Sequence, residues 1–328
     1  MTIPVPPPRY EGAYRLKDGR TLGYAEYGPA DGKTILWFHG TPGGRRQIAP
    51  EARTLAEERG ARLIAVERPG IGDSTSHRYA SLADWAADIQ AFCNAKEIEY
   101  FAVCGLSGGG PYALACAYYL QDRVTAATIL GGVAPAVGAD AARGGVSPLV
   151  RGLAPVVKRV HVPLNQLLVR LIRRVESRAD AAVDFAARFM PPGDQAVFED
   201  PAMRHMFLDD MLLASRNQMQ AMLHDVEIFA RDWGFRLAEV KTPVYLLYGD
   251  ADNIVPLQHG EHMAERLPNA ELRVRPEEGH LGGLGASQEI FDDLLSHWPR
   301  TAKKARPRQR AGKTRQERPP GKRSRKAI

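Results

Sequence analysis

Tyr100-Phe101-Ala102-Val103-Cys104-Gly105-Leu106-Ser107-Gly108-Gly109-Gly110-Pro111-Tyr112 is the stretch from which the rest of the chain can be read. Its first five residues form a short apolar run of the kind found in buried parallel strands. Gly105-Leu106-Ser107-Gly108-Gly109 then fits the pattern G-x-S-x-G, and Pro111-Tyr112 opens a helical stretch. Strand, sharp turn and helix together are the setting in which that pattern has a mechanism. Gly105 and Gly109, two residues either side of Ser107, let the chain turn without Cβ clashes. The hydroxyl of Ser107 is then expected to stand above the sheet, at a helix N-terminus that favours developing negative charge.

Outward from this elbow, further apolar runs read as strands: Thr34–Phe38, Arg62–Val66, Val124–Leu130, Val244–Tyr248 and Glu271–Val274. Helical patterns separate several of them, at Glu51–Glu58, Leu82–Cys93, Tyr112–Leu120, Gly260–Arg266 and Gln288–His297. Two earlier strands, Tyr14–Leu16 and Thr21–Tyr27, flank the turn signal Asp18-Gly19. Alternating strands and helices imply an α/β fold, a mostly parallel sheet flanked by helices on both faces. In such sheets ligands bind at the carboxyl ends of the strands. The interval from Leu130 to Val244 has helical patterning and no convincing strand, and a structureless loop of that length is implausible in a compact domain. The expected organisation is an N-terminal extension over 1–11, a core over 12–132 and 236–299, and an inserted helical cap over 133–235. A basic tail follows over 300–328.

The chain has 328 residues, of which 44% are hydrophobic and 25% charged, so a wholly disordered or collagenous protein is excluded. No run of about 18 uncharged apolar residues suggests a membrane span, and the proline-rich start lacks the apolar region of a signal peptide. The cysteines, Cys93, Cys104 and Cys116, have no metal-ligand spacing, which points to a reduced, cytoplasmic protein. The net charge of +6 is unevenly divided. Twelve Lys/Arg and one acid, Glu317, give residues 301–328 a charge of +11, which leaves −5 on the first 300 residues. That tail has too few apolar residues to offset chain entropy and is expected to be disordered. Its charge suits weak contact with an anionic surface, but it has no aromatic residue for stacking on bases, so no specific nucleic-acid partner is expected.

Three more strand ends carry chemistry. After Thr34–Phe38 comes His39-Gly40-Thr41-Pro42-Gly43-Gly44. Acyl transfer develops an oxyanion that must be held by preorganised N–H donors. Thr41 of this turn and Gly108, which follows the serine, are the candidate donors, with His39 and Gly40 supporting the turn. After Val244–Tyr248 comes Gly249-Asp250-Ala251-Asp252, and after the last strand Glu277-Glu278-Gly279-His280. A serine hydroxyl is a weak nucleophile, so an imidazole must take its proton and a carboxylate must orient that imidazole. His280 supplies the imidazole, and Asp250 and Asp252 are both candidate acids.

These segments together, HGTPGG (39–44), ERPGIGDS (67–74), GLSGG (105–109), GDADNIVP (249–256) and EGH (278–280), resemble the α/β-hydrolase superfamily over about residues 12–298. The resemblance is to the branch with a helical cap between the sixth and seventh core strands. It implies a triad of Ser107, Asp252 and His280, and it selects Asp252 over Asp250 because the acid there follows the motif glycine by three positions. Asp225 and Arg231–Phe235 resemble the segment returning from the cap in a subgroup of that family. Glu67 stands where aspartate is common. Relatives that open epoxides or remove halide attack with aspartate, so Ser107 points instead to a serine hydrolase of small acyl substrates, esterase-like, with no cofactor. The HGTPGG turn is similar to that of proline iminopeptidases, which makes a small-peptide aminopeptidase one alternative. A cofactor-free peroxidase and a low-turnover ligand-binding protein of the same fold are others.

Weaker signals have ordinary readings. His259 and His262 are spaced for one helix face but lack a third ligand, so no metal is expected. The stripes Leu149, Leu153, Val156, Val157 and Leu167, Leu168, Leu171, Ile172 recur at helical spacing, as in an amphipathic cap. Met206, Phe207, Met211 and Met219 are candidates for the wall above Ser107.

Overall fold

The computed structural model describes residues 5–142, 190–214 and 221–299. The basic tail, the two leucine-rich stripes and Met219 lie outside the described residues. Numbering the described elements in chain order, the strands are β1 (Tyr10–Arg15), β2 (Thr21–Tyr27), β3 (Lys33–Phe38), β4 (Ala61–Val66), β5 (Phe101–Leu106), β6 (Val124–Leu130), β7 (Val244–Gly249) and β8 (Ala270–Arg275). They form one sheet in the order β1-β2-β4-β3-β5-β6-β7-β8. β2 runs antiparallel to both β1 and β4, and every pairing from β4 to β8 is parallel. The carboxyl ends of β3, β5, β6, β7 and β8 therefore meet on one edge.

Period-two alternation divides each central strand between two packed faces. Leu36 and Phe38 of β3, with Phe101 and Val103 of β5, face α2 (Leu82–Ala95) and α3 (Gly110–Tyr119). Ile35 and Trp37, with Ala102, Cys104 and Leu106, face the opposite way, toward α1 (Pro50–Glu58) and α8 (Ser287–Ser296). α2 shows why these segments are helical. Leu82, Trp85, Ala86, Ile89, Phe92 and Cys93 recur at three- and four-residue spacing and are buried. At its start the Asp84 carboxylate accepts the Ser81 amide at 3.0 Å, satisfying a donor the first turn leaves open. The three cysteines are buried and free.

Between β6 and β7 the described helices are α4 (Pro192–Glu199), α5 (Pro201–Ala214) and α6 (Ala221–Phe229); α7 (Gln258–Ala264) follows β7. Met206 does not face open space. It is fully buried in the cluster that holds Ile48, Ala52 and Leu55, because Met203 and Met206 turn one stripe of α5 toward α1. Phe207 is partly buried against that cluster, and Met211 packs with Ile71 and Ala214. The first strand also differs from expectation. It begins at Tyr10, inside the segment assigned to the N-terminal extension, because pairing with β2 continues from Arg15↔Thr21 to Tyr10↔Glu26. Among the described residues no helix is long and apolar enough to cross a membrane.

Candidate active site

β5 ends at Leu106, and Ser107–Gly109 form one turn of 3-10 helix that leads into α3. Ser107 has φ 51°, the left-handed region that side chains disfavour, at a cost on the order of 1 kcal/mol. The turn is tight on both sides. A Cβ on Gly105 would lie 2.5 Å from the Gly109 carbonyl oxygen, and one on Gly109 would lie 2.2 Å from that of Phe38. Ser107 is half-buried between fully buried neighbours, so the strained residue is also the accessible one.

Three residues past the end of β7, Asp252 holds its Oδ1 against the amides of Ile254 and Val255, each at 2.8 Å. Its Oδ2 lies 2.7 Å from His280 Nδ1, and His280 Nε2 lies 2.8 Å from Ser107 Oγ. A carboxylate on Nδ1 keeps the imidazole hydrogen there and leaves the Nε2 lone pair toward the serine. Gly131, after β6, backs this pair, since a Cβ there would approach His280 Nδ1 to 3.3 Å. Asp250 points elsewhere, and its Oδ1 accepts the Glu277 amide at 2.7 Å.

Thr41 lies three residues past β3, across from the elbow. A Cβ added to Gly108 would fall 2.2 Å from Thr41 Oγ1, so the two residues are in direct contact. The turn is held from several sides. The Gly40 amide donates to Gln47 Oε1 at 2.6 Å. His39 uses both ring nitrogens, Nδ1 donating to the Gly40 carbonyl at 2.8 Å and Nε2 accepting the Arg68 amide at 3.2 Å. Burial, reinforced by the Arg68 charge, holds its pKa well below the usual histidine range, so the ring is neutral. His39 is thus part of the turn, with both ring nitrogens committed to backbone groups rather than to Ser107.

Asp225, on α6, anchors the same turn. Its Oδ2 accepts Thr41 Oγ1 at 2.5 Å and Arg68 Nη2 at 2.9 Å, while Oδ1 accepts the Tyr112 hydroxyl at 2.7 Å. Arg68 also donates to the carbonyls of His39 and Gly40, at 2.5 and 2.8 Å, and stacks over the Tyr112 ring at 5.1 Å. Glu67, beside it, is buried and accepts Arg45 Nη1 at 2.9 Å; burial pushes its carboxyl up to about 7.

Sequence reading passed over Asp194, Asp210 and Phe229. The ring of Phe229 reaches to 3.5 Å from where a Cβ of Gly108 would stand. Asp194 sits in the first turn of α4, where an acid is ordinary, and Asp210 lies within α5 next to another acid, Asp209. No local signal separates them from solvent-facing acids. His259 and His262 are both engaged structurally, with the Ala134 amide at 3.0 Å and the Asp140 carbonyl at 2.7 Å. Among the described residues no group of three His, Cys, Asp or Glu is arranged to hold a metal.

Comparison with known proteins places this geometry in a family. A family model described as alpha/beta hydrolase fold matches residues 33–286. The chain is similar to a bifunctional esterase/perhydrolase of Acinetobacter calcoaceticus, 25% identical over 292 residues that cover 87% of this chain and 98% of that protein. It is similar as well to a non-heme chloroperoxidase of Streptomyces lividans, 26% identical over 301 residues, covering 87% and 98%. Among solved structures, an alpha/beta hydrolase fold protein from Nakamurella multipartita superposes with a TM-score of 0.66 at 20% identity, covering 87% of this chain and 99% of the other. With its sheet order and a family match spanning most of its length, this chain belongs to the α/β-hydrolase family.

Proposed function

We propose that this α/β-hydrolase is a serine hydrolase that cleaves carboxylic esters or related acyl bonds through an acyl-enzyme. The observation that carries the reading is the unbroken line from Asp252 Oδ2 to His280 Nδ1, 2.7 Å, and from His280 Nε2 to Ser107 Oγ, 2.8 Å. In this scheme His280 takes the Ser107 proton as the oxygen attacks the acyl carbon. The Thr41 and Gly108 amides receive the resulting oxyanion, and the imidazolium returns its proton to the leaving group. Water, deprotonated by His280, then attacks the acyl-serine and releases the acid. The helical insertion between β6 and β7 serves as a cap over this edge, and the partner required is a small acyl substrate. The basic tail suits weak contact with an anionic surface.

A p-nitrophenyl ester assay with a fluorophosphonate label tests the assignment. Wild type should turn over and take the label at Ser107, and Ser107→Ala should lose on the order of 10⁴-fold to 10⁶-fold in turnover. Undiminished hydrolysis by Ser107→Ala overturns it. Label without steady turnover would instead mark a ligand-binding protein that has kept the fold.

The relatives named esterase/perhydrolase and chloroperoxidase favour a second reaction at the same serine. Hydrogen peroxide in place of water would attack the acyl-serine, giving a peracid and free Ser107 without any change in oxidation state at the protein. Peracid formation from an ester and peroxide that Ser107→Ala lacks would support it.

A further inference from the structure

Each of α4, α5 and α6 carries one buried acid, and each acid is directed at a loop that holds a reactive group in the proposed mechanism. Asp194, in the first turn of α4, is 1% exposed. Its Oδ2 accepts the backbone amide of His280 at 2.9 Å and its Oδ1 that of Leu281 at 2.7 Å. Asp210 of α5, 2% exposed, accepts the amides of Gly44 and Arg46 at 2.8 and 2.9 Å. Asp225 of α6 holds Thr41 Oγ1 and Arg68, as described above.

α4 approaches the histidine loop so closely that neither side has room for a Cβ at the contact. A Cβ on Gly279 would lie 2.4 Å from Asp194 Oδ2, and one on Gly193 would lie 2.7 Å from the Glu277 carbonyl oxygen. A carboxylate offers acceptor sites on both oxygens and no donor, so two adjacent amides fix it and it fixes them. Burying such a charge is costly unless every partner is present, so the arrangement locks as a unit or not at all. Once ionised, Asp210 presents the same two-acceptor geometry to the amides of Gly44 and Arg46, a short way along the chain from the Thr41 amide.

We propose that Asp194, Asp210 and Asp225 are positioning residues: the helices between β6 and β7 order the His280 loop and the Thr41 turn from the far side, in addition to covering them. Asp194 sets the backbone from which the His280 ring reaches Ser107. Asp210 and Asp225 set the turn whose amide faces the reacting carbonyl. The hydrogen bonds of all three go to groups other than Ser107. This proposal rests on the hydrolase reading for its catalytic consequence, whereas the ordering itself is independent of it.

Hydrogen–deuterium exchange read on peptides spanning 276–284 and 39–47 decides the ordering. In the wild type the amides of His280, Leu281, Gly44 and Arg46 should exchange at least tenfold more slowly than those of exposed turns such as 17–20. In Asp194→Asn the amide nitrogen of the new side chain opposes one of the two backbone N–H groups, so one acceptor is lost with no change of shape. Exchange at His280 and Leu281 should quicken about tenfold, with β5 and the 39–47 peptide unchanged. At pH 8, where Asp210 has lost its proton, Asp210→Asn should do the reverse, loosening 39–47 and sparing 276–284.

On the same variants, kcat for ester hydrolysis and the rate of fluorophosphonate labelling should fall about tenfold to a hundredfold while KM moves less than threefold. A general loss of folding would instead accelerate exchange everywhere, and the wild-type protection pattern then decides the matter. Loop-like exchange at His280 and Leu281 in the wild type, or Asn variants within twofold of wild type in exchange and in labelling, overturns the proposal. If wild type takes no label while the exchange pattern is as stated, it is the hydrolase reading that fails and the ordering that stands.

Discussion

Asp252 and His280 are joined through one carboxylate oxygen only: Oδ2 lies 2.7 Å from His280 Nδ1, while Oδ1 is occupied by the amides of Ile254 and Val255. The division fixes which oxygen serves the ring. In Asp252→Asn the two backbone amides would hold the remaining oxygen, so the new NH₂ group would face His280 Nδ1. The imidazole would then carry its hydrogen on Nε2, where Ser107 needs a lone pair. Turnover of a p-nitrophenyl ester should fall about 10⁴-fold with the thermal midpoint little changed. Activity within tenfold of wild type would show that the carboxylate is not needed there.

Gly108→Ala tests the other side of the serine. The added methyl would stand 2.2 Å from Thr41 Oγ1, forcing apart the two amides proposed to receive the oxyanion. Losing one such donor costs about 10²-fold to 10³-fold in kcat elsewhere, and a similar fall is expected here. Fluorophosphonate labelling of Ser107, which passes through a comparable anion, should slow in parallel. An alanine variant labelled at the wild-type rate would contradict the assignment of Thr41 and Gly108.

The Arg68–Asp225 pair is buried on both sides, each side chain 2% exposed. Asp225→Ala leaves a guanidinium in the interior with, among the described residues, the His39 and Gly40 carbonyls, Thr41 Oγ1 and the Tyr112 ring to face, and no counter-charge from Asp225. Breaking a buried pair in this way costs about 3–5 kcal/mol. The urea midpoint should drop accordingly, and a change under about 1 kcal/mol would mean that water or another side chain takes the vacated place.

Asp210 gives the stability a pH dependence that can be isolated. Burial pushes its carboxyl up to about 7, against the opposing pull of the Arg46 and Gly44 amides and of Arg53, with Asp209 adding to the rise. An unfolded aspartate titrates near 3.9, so between about pH 4 and 7 the native state keeps a proton that the unfolded chain has released. Stability from this group therefore falls as pH rises through that window, by up to about 4 kcal/mol. His39 acts in the opposite sense, because its depressed pKa makes stability rise with pH up to about 6.5. Comparing wild type with Asp210→Asn cancels His39. The wild type's advantage over the variant should shrink between pH 5 and 8 in urea unfolding, and parallel curves would count against a buried, titrating Asp210.

The strands and the four loops at their carboxyl ends were legible along the chain because each depends on neighbours in sequence. A glycine-flanked serine after an apolar run marks a tight turn, and the expected β6, Val124–Leu130, has the bounds observed. β2 matches as well, most other strand ends shift by one or two residues, as with β5, which continues through Leu106 before the elbow, and β1 begins four residues earlier than expected. The choice of Asp252 over Asp250 was not legible from spacing. It came from family resemblance, and in space Asp252 is the carboxylate that meets His280 Nδ1, whereas Asp250 accepts the Glu277 amide.

Tertiary contact alone decided the acids behind the site. Asp194 meets His280 across 86 positions of chain, and Asp210 meets Gly44 across 166. An aspartate early in a helix has the same local pattern whether it faces water or two buried amides, and the difference lies wholly in what the fold brings against it. Periodicity reports which face of an element is apolar, so it located the sheet and its packing. It carries no information about which polar atom will be opposite another once the helices between β6 and β7 close onto the loops of the core.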